Sequence, residues 1–317
     1  MAILVTGAAG FVGSNTVRML VKQGKPVRAM VRNLEKAKVR LGDISSKIEI
    51  VQADITDRSR LPRLMDDVTA IVHTIAVPME RGDATYDEIN YQGTINIVDA
   101  AEAEGVRRFI NISQNGARPD HFSHFLRSKG RAQEYVASSR LEWTTIRPSV
   151  IFGPQDEFFN SIARLVRLTP LIFPNIGGGK AQFQPVSVYD VTVAIARSME
   201  DDDSIHHEFQ LGGPEILTMK EIEKRILKAM DTKRLLFPAP AWLLKPPVIL
   251  MQTFLPGSPV NTTLLELLKE PNIVGENALI TYFKLVPKPF SGDNIAYLKK
   301  ATASDALKKM FTNETIS

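Results

Sequence analysis

The chain has 317 residues, 44% of them hydrophobic, enough for one large α/β domain with a substantial core and a smaller second one. A net charge of +4, set by 39 basic and 35 acidic residues, gives no ground for a nucleic-acid binder. The absence of cysteine excludes disulfides, thiolate metal sites and cysteine nucleophiles.

The opening MAILVTGAAG runs straight into a strand and a glycine turn, without a basic region or cleavage site, and reads as cytosol-facing. Short β-branched runs then alternate with helical patterns. In chain order these are AILVT, a helix over Phe11–Gln23, VRAMV, a helix over Leu34–Leu41, IEIVQA, AIVHTIA, a helix over Tyr86–Glu104, RRFINIS and WTTIRP. Strands alternating with crossover helices predict an α/β fold with a doubly wound parallel sheet.

Composition changes after Gly153-Pro154. A helix over Glu157–Arg167, a glycine turn at Gly177–Gly179, a helix from Val188 capped by the Ser187/Asp190 pair and a strand near Phe209–Leu211 follow. The expected division is a dinucleotide-binding domain of residues 1–153, to which 186–212 return, and a smaller α+β substrate or partner domain of 154–185 and 213–317. Glu200–Asp203 reads as a solvated acidic helix end. The most apolar run, Leu235–Leu255, has the length of a membrane span, but Pro238, Pro240, Pro246, Pro247 and Lys245 argue against a transmembrane segment. Within it Trp242, Leu243 and Leu244 are expected first of all to build the core of the second domain. A quinone-like substrate, a partner helix or a membrane surface are the other surfaces they suit.

The strongest motif is Thr6-Gly7-Ala8-Ala9-Gly10-Phe11-Val12-Gly13, placed between an apolar strand and an apolar helix. Gly7 permits the tight turn, Gly10 lets backbone approach a pyrophosphate, and Gly13 lets the helix pack on the strand while its first amides face the anion. The second strand ends Val31-Arg32-Asn33, where an acidic residue would accept from ribose hydroxyls. Arg32 instead suits a 2′-phosphate, with Lys36 and Lys38 following, so NADP(H) is favoured over NAD(H). Asp54 and Ile55 follow the third strand, where a side chain meets the adenine; Ile75 and Ala76 follow the fourth, beneath the adenosine and pyrophosphate. Core packing is an equal reading for Ile55, Ile75 and Ala76. The five histidines form no ligand-like cluster, and no metal site is expected.

With these features the chain resembles the short-chain dehydrogenase/reductase superfamily, of the extended or atypical kind that begins TGxxGxxG on a Rossmann fold. Ser113 after the fifth strand, Lys129, and Pro148-Ser149-Val150-Ile151 within RPSVIFGP carry the resemblance further. It implies that Lys129 and Ser113 belong to the catalytic set, that both also contact cofactor, and that the Pro148–Ile151 backbone lines the nicotinamide. The position of the serine is open between Ser113 and Gln114. In that superfamily a tyrosine four residues before the lysine exchanges the proton; here HFLRSKGRAQE places Phe125 there. FLRSKGRAQE, RPSVIFGPQDEFFNSIARL, QPVSVYDVTVAI and LLFPAPAWLLK are similar to the nucleotide-binding accessory subunits of respiratory complex I and their bacterial relatives. That resemblance implies bound NADPH, a structural or redox-sensing role, and a C-terminal part that contacts a membrane-associated protein assembly. Two other readings stand beside it: an NADPH-dependent oxidoreductase of a quinone-like or other small hydrophobic acceptor, drawing its proton from solvent, His124 or the substrate, and a nucleotide-sugar epimerase or dehydratase.

Overall fold

The structure, a computed structural model, describes residues 1–255 and 262–311. The end of the second expected domain and its residues 256–261 lie outside the described residues. Six strands form in the first half: β1 (Ala2–Thr6), β2 (Val27–Val31), β3 (Glu49–Gln52), β4 (Val68–His73), β5 (Arg108–Ile112) and β6 (Glu142–Pro148). The helices between them are α1 (Phe11–Lys22), α2 (Leu34–Leu41), α3 (Gly93–Ala103), entered through a π-helical stretch over Tyr86–Gln92, and α4 (His124–Ser138). Beyond these come β7 (Ile151–Phe152), α5 (Phe158–Leu168), β8 (Ile172–Ile176), β9 (Gln182–Phe183), β10 (Val186–Ser187), α6 (Val188–Glu200) and β11 (His207–Leu211). The chain continues through β12 (Leu217–Thr218), α7 (Met219–Ala229), β13 (Leu235–Ala239), α8 (Ala241–Phe254), α9 (Thr262–Leu267), α10 (Ala278–Thr281) and α11 (Ala303–Phe311).

Seven strands in the order β11-β6-β5-β4-β1-β2-β3, all parallel, make the large sheet. Its strands read as continuous apolar runs because both faces are covered. Along β1, Ile3 and Val5 point into the core beneath α1 and α6, while Leu4 points into the opposite core with Ile97 of α3 and Val136 of α4. The strand order reverses between β1 and β4, which opens a crevice at their carboxyl ends.

A second core joins Phe159 and Ile162 of α5, Phe173 of β8, Ile222 and Ile226 of α7, and Phe290. Residues 207–211 return to the large sheet as β11, paired from His207 to Leu211 with Thr144 to Pro148 of β6. Ala278, Leu279 and Phe283, assigned on sequence to the smaller domain, pack instead in the core beneath α1 and α6. Side-chain amides hold this return: Asn277 Nδ2 donates to the Gly212 carbonyl at 2.7 Å, and Gln184 Nε2 to that of Gly213 at 2.9 Å.

Three local expectations change. Ser187 caps α6 by accepting from the Tyr189 amide at 3.3 Å, but Asp190 reaches away to the Lys288 amide at 2.8 Å rather than completing a capping pair. In the acidic run, Glu200 pairs with Lys25, and Asp201 accepts from the Tyr282 hydroxyl at 2.6 Å, so it is a packing point and not merely a solvated end. Of the three residues expected to build the second core from the apolar run, Leu244 turns to it, alongside Val248 and Met251, whereas Trp242 and Leu243 are exposed.

α4 lies so close to the preceding loop that a Cβ at Gly130 would stand 2.2 Å from the Arg118 carbonyl carbon. Backbone cannot yield as a side chain does, so Gly130→Ala should lower stability by about 1–3 kcal/mol, read as a lower urea midpoint at unchanged slope. Gly42→Ala, with right-handed helical φ and nothing within 4 Å, should leave the midpoint unchanged or slightly raised.

Candidate functional site

The crevice begins at the turn between β1 and α1. Gly7 has φ +69°, and a Cβ at Gly13 would meet the Gly7 carbonyl oxygen at 2.2 Å, so helix and turn touch backbone to backbone. Gly10 precedes α1 without a side-chain cap, and the first turn holds no acidic residue. The Gly10 amide closes the turn on the Gly7 carbonyl at 2.8 Å, and Ser14 is the next residue whose amide returns to it, bonding Gly10 at 3.0 Å. The first amides of α1, those of Phe11, Val12 and Gly13, therefore lead into an anion-attracting end of the helix dipole.

A buried neutral histidine fixes the strand ends around that turn. Thr94 Oγ1 donates to the Asn90 carbonyl at 2.7 Å, so it accepts from His73 Nε2 at 3.1 Å; His73 Nδ1 then accepts from Thr6 Oγ1 at 2.8 Å. Burial, reinforced by the Lys129 charge, pushes the His73 imidazolium down to about 3. Thr74 Oγ1 donates to the Thr6 carbonyl at 2.7 Å, tying the loop that carries Ile75 and Ala76 to the glycine turn. Ile75 is half-buried against the core that contains Ile55, whose carbonyl accepts from Asn96 Nδ2 at 3.0 Å. Packing therefore engages both isoleucine side chains. Asp54 is half-buried, and one of its oxygens accepts from the amide and hydroxyl of Thr56.

At the end of β2 the Arg32 guanidinium is exposed and makes no hydrogen bond or ion pair among the described residues. Asn33 caps α2 by accepting from the Lys36 amide at 2.9 Å. Burial and then Arg40 lower the Lys36 ammonium to about 8, against the pull of Glu157 and with Arg32 adding repulsion. Burial also lowers Arg40, while Glu157 opposes. Arg32, just before the cap of α2, thus shares one electrostatic neighbourhood with Lys36 and Arg40, which lie four residues apart on one face of that helix. Lys38 does not join it; it pairs with Glu35 at 2.7 Å on the exposed side. Arg40 escaped the sequence reading, although its i+4 spacing from Lys36 was visible.

At the other end of the crevice Lys129 and Ser113 come together at the tip of β5. The Lys129 ammonium is buried and donates to the Ile112 carbonyl at 2.6 Å; burial lowers it to about 8. A surface lysine is thereby excluded. Ser113 Oγ, one residue on, is buried with no hydrogen-bond partner among the described residues, whereas Gln114 is only half-buried. One turn before Lys129 on α4, Phe125 packs edge-on to Tyr86, ring centroids 5.5 Å apart, with Leu126, Val77 and Leu267 completing an apolar wall. Asn90 anchors that wall by accepting from the Val77 amide at 2.8 Å and donating to Ser128 Oγ at 3.1 Å.

The Pro148–Ile151 segment sits at the junction of the two cores. The Pro148 carbonyl accepts from the Asn115 amide at 2.9 Å and the Val150 carbonyl from Val186 at 3.0 Å. Ser149 donates its hydroxyl to the Asn272 carbonyl at 2.7 Å, and Ile151 pairs with Val186. Sequence reasoning missed the strap beyond them: Gln155 Oε1 accepts from Asn15 Nδ2 of α1 at 3.3 Å. Next to it the buried Asp156 accepts from the Tyr297 hydroxyl at 2.5 Å and from the Phe159 amide at 2.7 Å; burial raises its carboxyl to about 7.

A parallel seven-stranded sheet with a glycine turn at its switch point defines a Rossmann-type, dinucleotide-binding class of protein. Residues 7–157 match the family described as NAD(P)H-binding. The chain is 30% identical over 223 residues to the Arabidopsis thaliana mitochondrial NADH dehydrogenase [ubiquinone] 1 alpha subcomplex subunit 9, covering 69% of this chain and 55% of the relative. It is 26% identical to the Neurospora crassa mitochondrial NADH-ubiquinone oxidoreductase 40 kDa subunit, covering 76% and 64%. The matched region thus spans less than two thirds of these relatives' length. Among solved structures, a Staphylococcus aureus nucleoside-diphosphate-sugar epimerase superposes with a TM-score of 0.72 at 16% identity, covering 95% of this chain and all of that one. The Thermus thermophilus UDP-glucose 4-epimerase in complex with NAD gives 0.62 at 20% identity, over 77% and 92%. These likenesses show the fold, a Rossmann-type parallel sheet shared with those epimerases.

The buried lysine yields a pH signature. Its folded pKa lies below the ordinary lysine value of 10.5, so between about 8 and 10.5 the unfolded chain holds a proton that the folded chain has lost. Stability contributed at this position therefore rises with pH through that window. Denaturation of the wild type and of Lys129→Met, followed from pH 7 to 10, should show the wild type gaining on the variant above pH 8. A constant difference would mean that the ammonium is not buried.

Proposed function

We propose that the protein is an NADP(H)-binding, atypical short-chain dehydrogenase-like protein that lacks the usual catalytic tyrosine and has a structural, redox-sensing or slow-turnover role. The observation that carries this reading is the Lys129, Ser113 and Phe125 arrangement. A buried ammonium and an unpartnered buried hydroxyl converge at the tip of β5, while the side chain one turn before the lysine has no exchangeable proton.

The residues present fit a dinucleotide. The uncapped end of α1, behind Gly7, Gly10 and Gly13, would receive the pyrophosphate, and Arg32 with Lys36 and Arg40 would receive a 2′-phosphate. Asp54, Ile75 and Ala76 would border the adenosine, and Ser113 and Lys129 would bind the nicotinamide ribose. The Pro148–Ile151 backbone would line the nicotinamide, which when bound gives or takes a hydride. The protein's own part is to bind, orient and exclude water. A tyrosine in place of Phe125 would add general acid/base catalysis, commonly worth about 10²- to 10⁴-fold. The relatives named as respiratory-complex subunits support a binding role within a membrane-associated assembly.

A second reading, an NADPH-dependent reductase of a quinone-like or other small hydrophobic acceptor, draws on the apolar wall of Val77, Tyr86, Phe125, Leu126 and Leu267. An epimerase or dehydratase depends most on the proton exchange that Phe125 cannot perform, and ranks last.

The mass and absorbance of the copurifying nucleotide test the proposal: stoichiometric NADPH, unoxidised across a carbonyl and quinone screen, is the expected result. Rapid NADPH oxidation that needs an added quinone would establish the reductase instead. Arg32→Ala should weaken NADPH binding about tenfold or more and leave NADH unchanged, since one charged hydrogen bond is worth about 1.5–3 kcal/mol. Equal affinities of the wild type for the two nucleotides would remove the NADP preference. Phe125→Tyr should gain carbonyl reductase activity if α4 presents position 125 to substrate.

A further inference from the structure

The helix α8 is apolar on the side that faces solvent. At about 100° per residue, Leu244, Val248 and Met251 fall on one side of it and pack toward the second core. The opposite side carries Trp242, Ile249, Leu250 and Phe254, exposed by 74%, 46%, 61% and 71%. A surface helix ordinarily turns charge outward; here Lys245 is the sole charged residue in AWLLKPPVILMQTF. The strand leading into it adds exposed Leu235 and Phe237.

Along this stretch of the chain, between Asp231 and Glu266, charge has a single sign. From Thr232 to Leu265 the sequence contains no Asp or Glu, and its cations are Lys233, Arg234 and Lys245. Lys233 and Lys245 are exposed and make no ion pair among the described residues. Exposed tryptophan, bulky aliphatics and unpaired cations together suit the boundary between headgroups and acyl chains of an anionic bilayer.

The helix geometry sets how such a surface is met. Its 14 residues extend about 21 Å, shorter than a bilayer's hydrocarbon core of about 30 Å. Pro246 and Pro247 lack amide hydrogens, so the carbonyls of Trp242 and Leu243 lose their usual helical donors. Bare carbonyls are costly in hydrocarbon but are hydrated at headgroup level. α8 also rests over an apolar cavity of about 150 Å³ bordered by Leu165, Phe173, Ile176, Leu244, Val248 and Met251, so its seat on the body is not close-packed.

We infer that the outer face of α8, with Trp242, Ile249, Leu250 and Phe254 inserted and Lys233 and Lys245 at the headgroups, is a docking surface for an anionic lipid bilayer, with the helix lying in the membrane plane. The site is separate from the nucleotide crevice and does not depend on the cofactor reading.

Flotation of the full chain with phosphatidylcholine vesicles, pure or mixed with phosphatidylglycerol, tests it. The chain should float with the mixed vesicles, with a blue shift of Trp242 emission; the other tryptophan, Trp143, is buried in the large sheet. Leu250→Asp with Phe254→Asp should cut partitioning at least about tenfold while NADPH affinity and the unfolding midpoint stay unchanged. Replacing Lys233 or Lys245 by Gln should cost about fivefold each, on the anionic vesicles alone. No flotation with either vesicle, or undiminished flotation of the double variant, would overturn the inference. So would a concentration-dependent dimer that the double variant abolishes without any vesicle uptake by the wild type, which would assign this face to a second copy of the chain.

Discussion

The backbone contact between Gly13 and Gly7 governs the rest of the site. With 2.2 Å between a position-13 Cβ and the Gly7 carbonyl oxygen, no side chain at position 13 lets α1 start where it does. The contact sets α1 against the switch point of the sheet and aims its positive end into the crevice. It also determines what surrounds it. His73 pins β1 to β4 and α3 directly under the turn, and Asn15 on the second turn of α1 reaches Gln155 of the strap.

Keeping Lys129 in the interior costs free energy. A lysine buried against a single carbonyl has its charged form disfavoured, as its lowered pKa records, and the cost is not offset by an acidic partner. Ser113 adds a second polar atom without a partner in the same place. A buried ammonium held by one carbonyl and a buried hydroxyl without a partner among the described residues, converging at the carboxyl end of a parallel strand, are poor core design, and a ligand hydroxyl would suit both. The neutral His73 nearby lowers the local charge and so eases the burial of the ammonium.

The sheet was legible because its strands and helices differ in period, and because β1 and the TGAAGFVG turn combine chemistry with context. Lys129, Ser113 and Arg32 were legible as residues that a fixed architecture carries to the crevice. Others depended on distances that spacing does not encode. Arg40 joins Lys36 through a shared helix face opposite Glu157, a residue far along the chain. Ala278–Phe283 returns to the first core after a long excursion, held by amides of Gln184 and Asn277 that look like ordinary polar loop residues. Trp242 and Leu243 misled for a different reason: hydropathy reports that a run is apolar, not which side of its helix the protein covers.

Position 125 joins these lines of reasoning. A phenol there would have to be accommodated next to Leu126 and Val77, which carry no polar side-chain atom, and next to Tyr86, whose hydroxyl donates to the Pro78 carbonyl at 3.1 Å. Phe125 therefore does more than omit a proton donor. It closes an apolar contact between α4 and the π-helical segment that Asn90 ties to the loop after β4, so the same loop is held from both sides. A crevice braced in this way favours a fixed cofactor geometry over the local opening that substrate exchange requires. On physical grounds the packing at this position favours rigidity, the property that the proposed resident nucleotide would need.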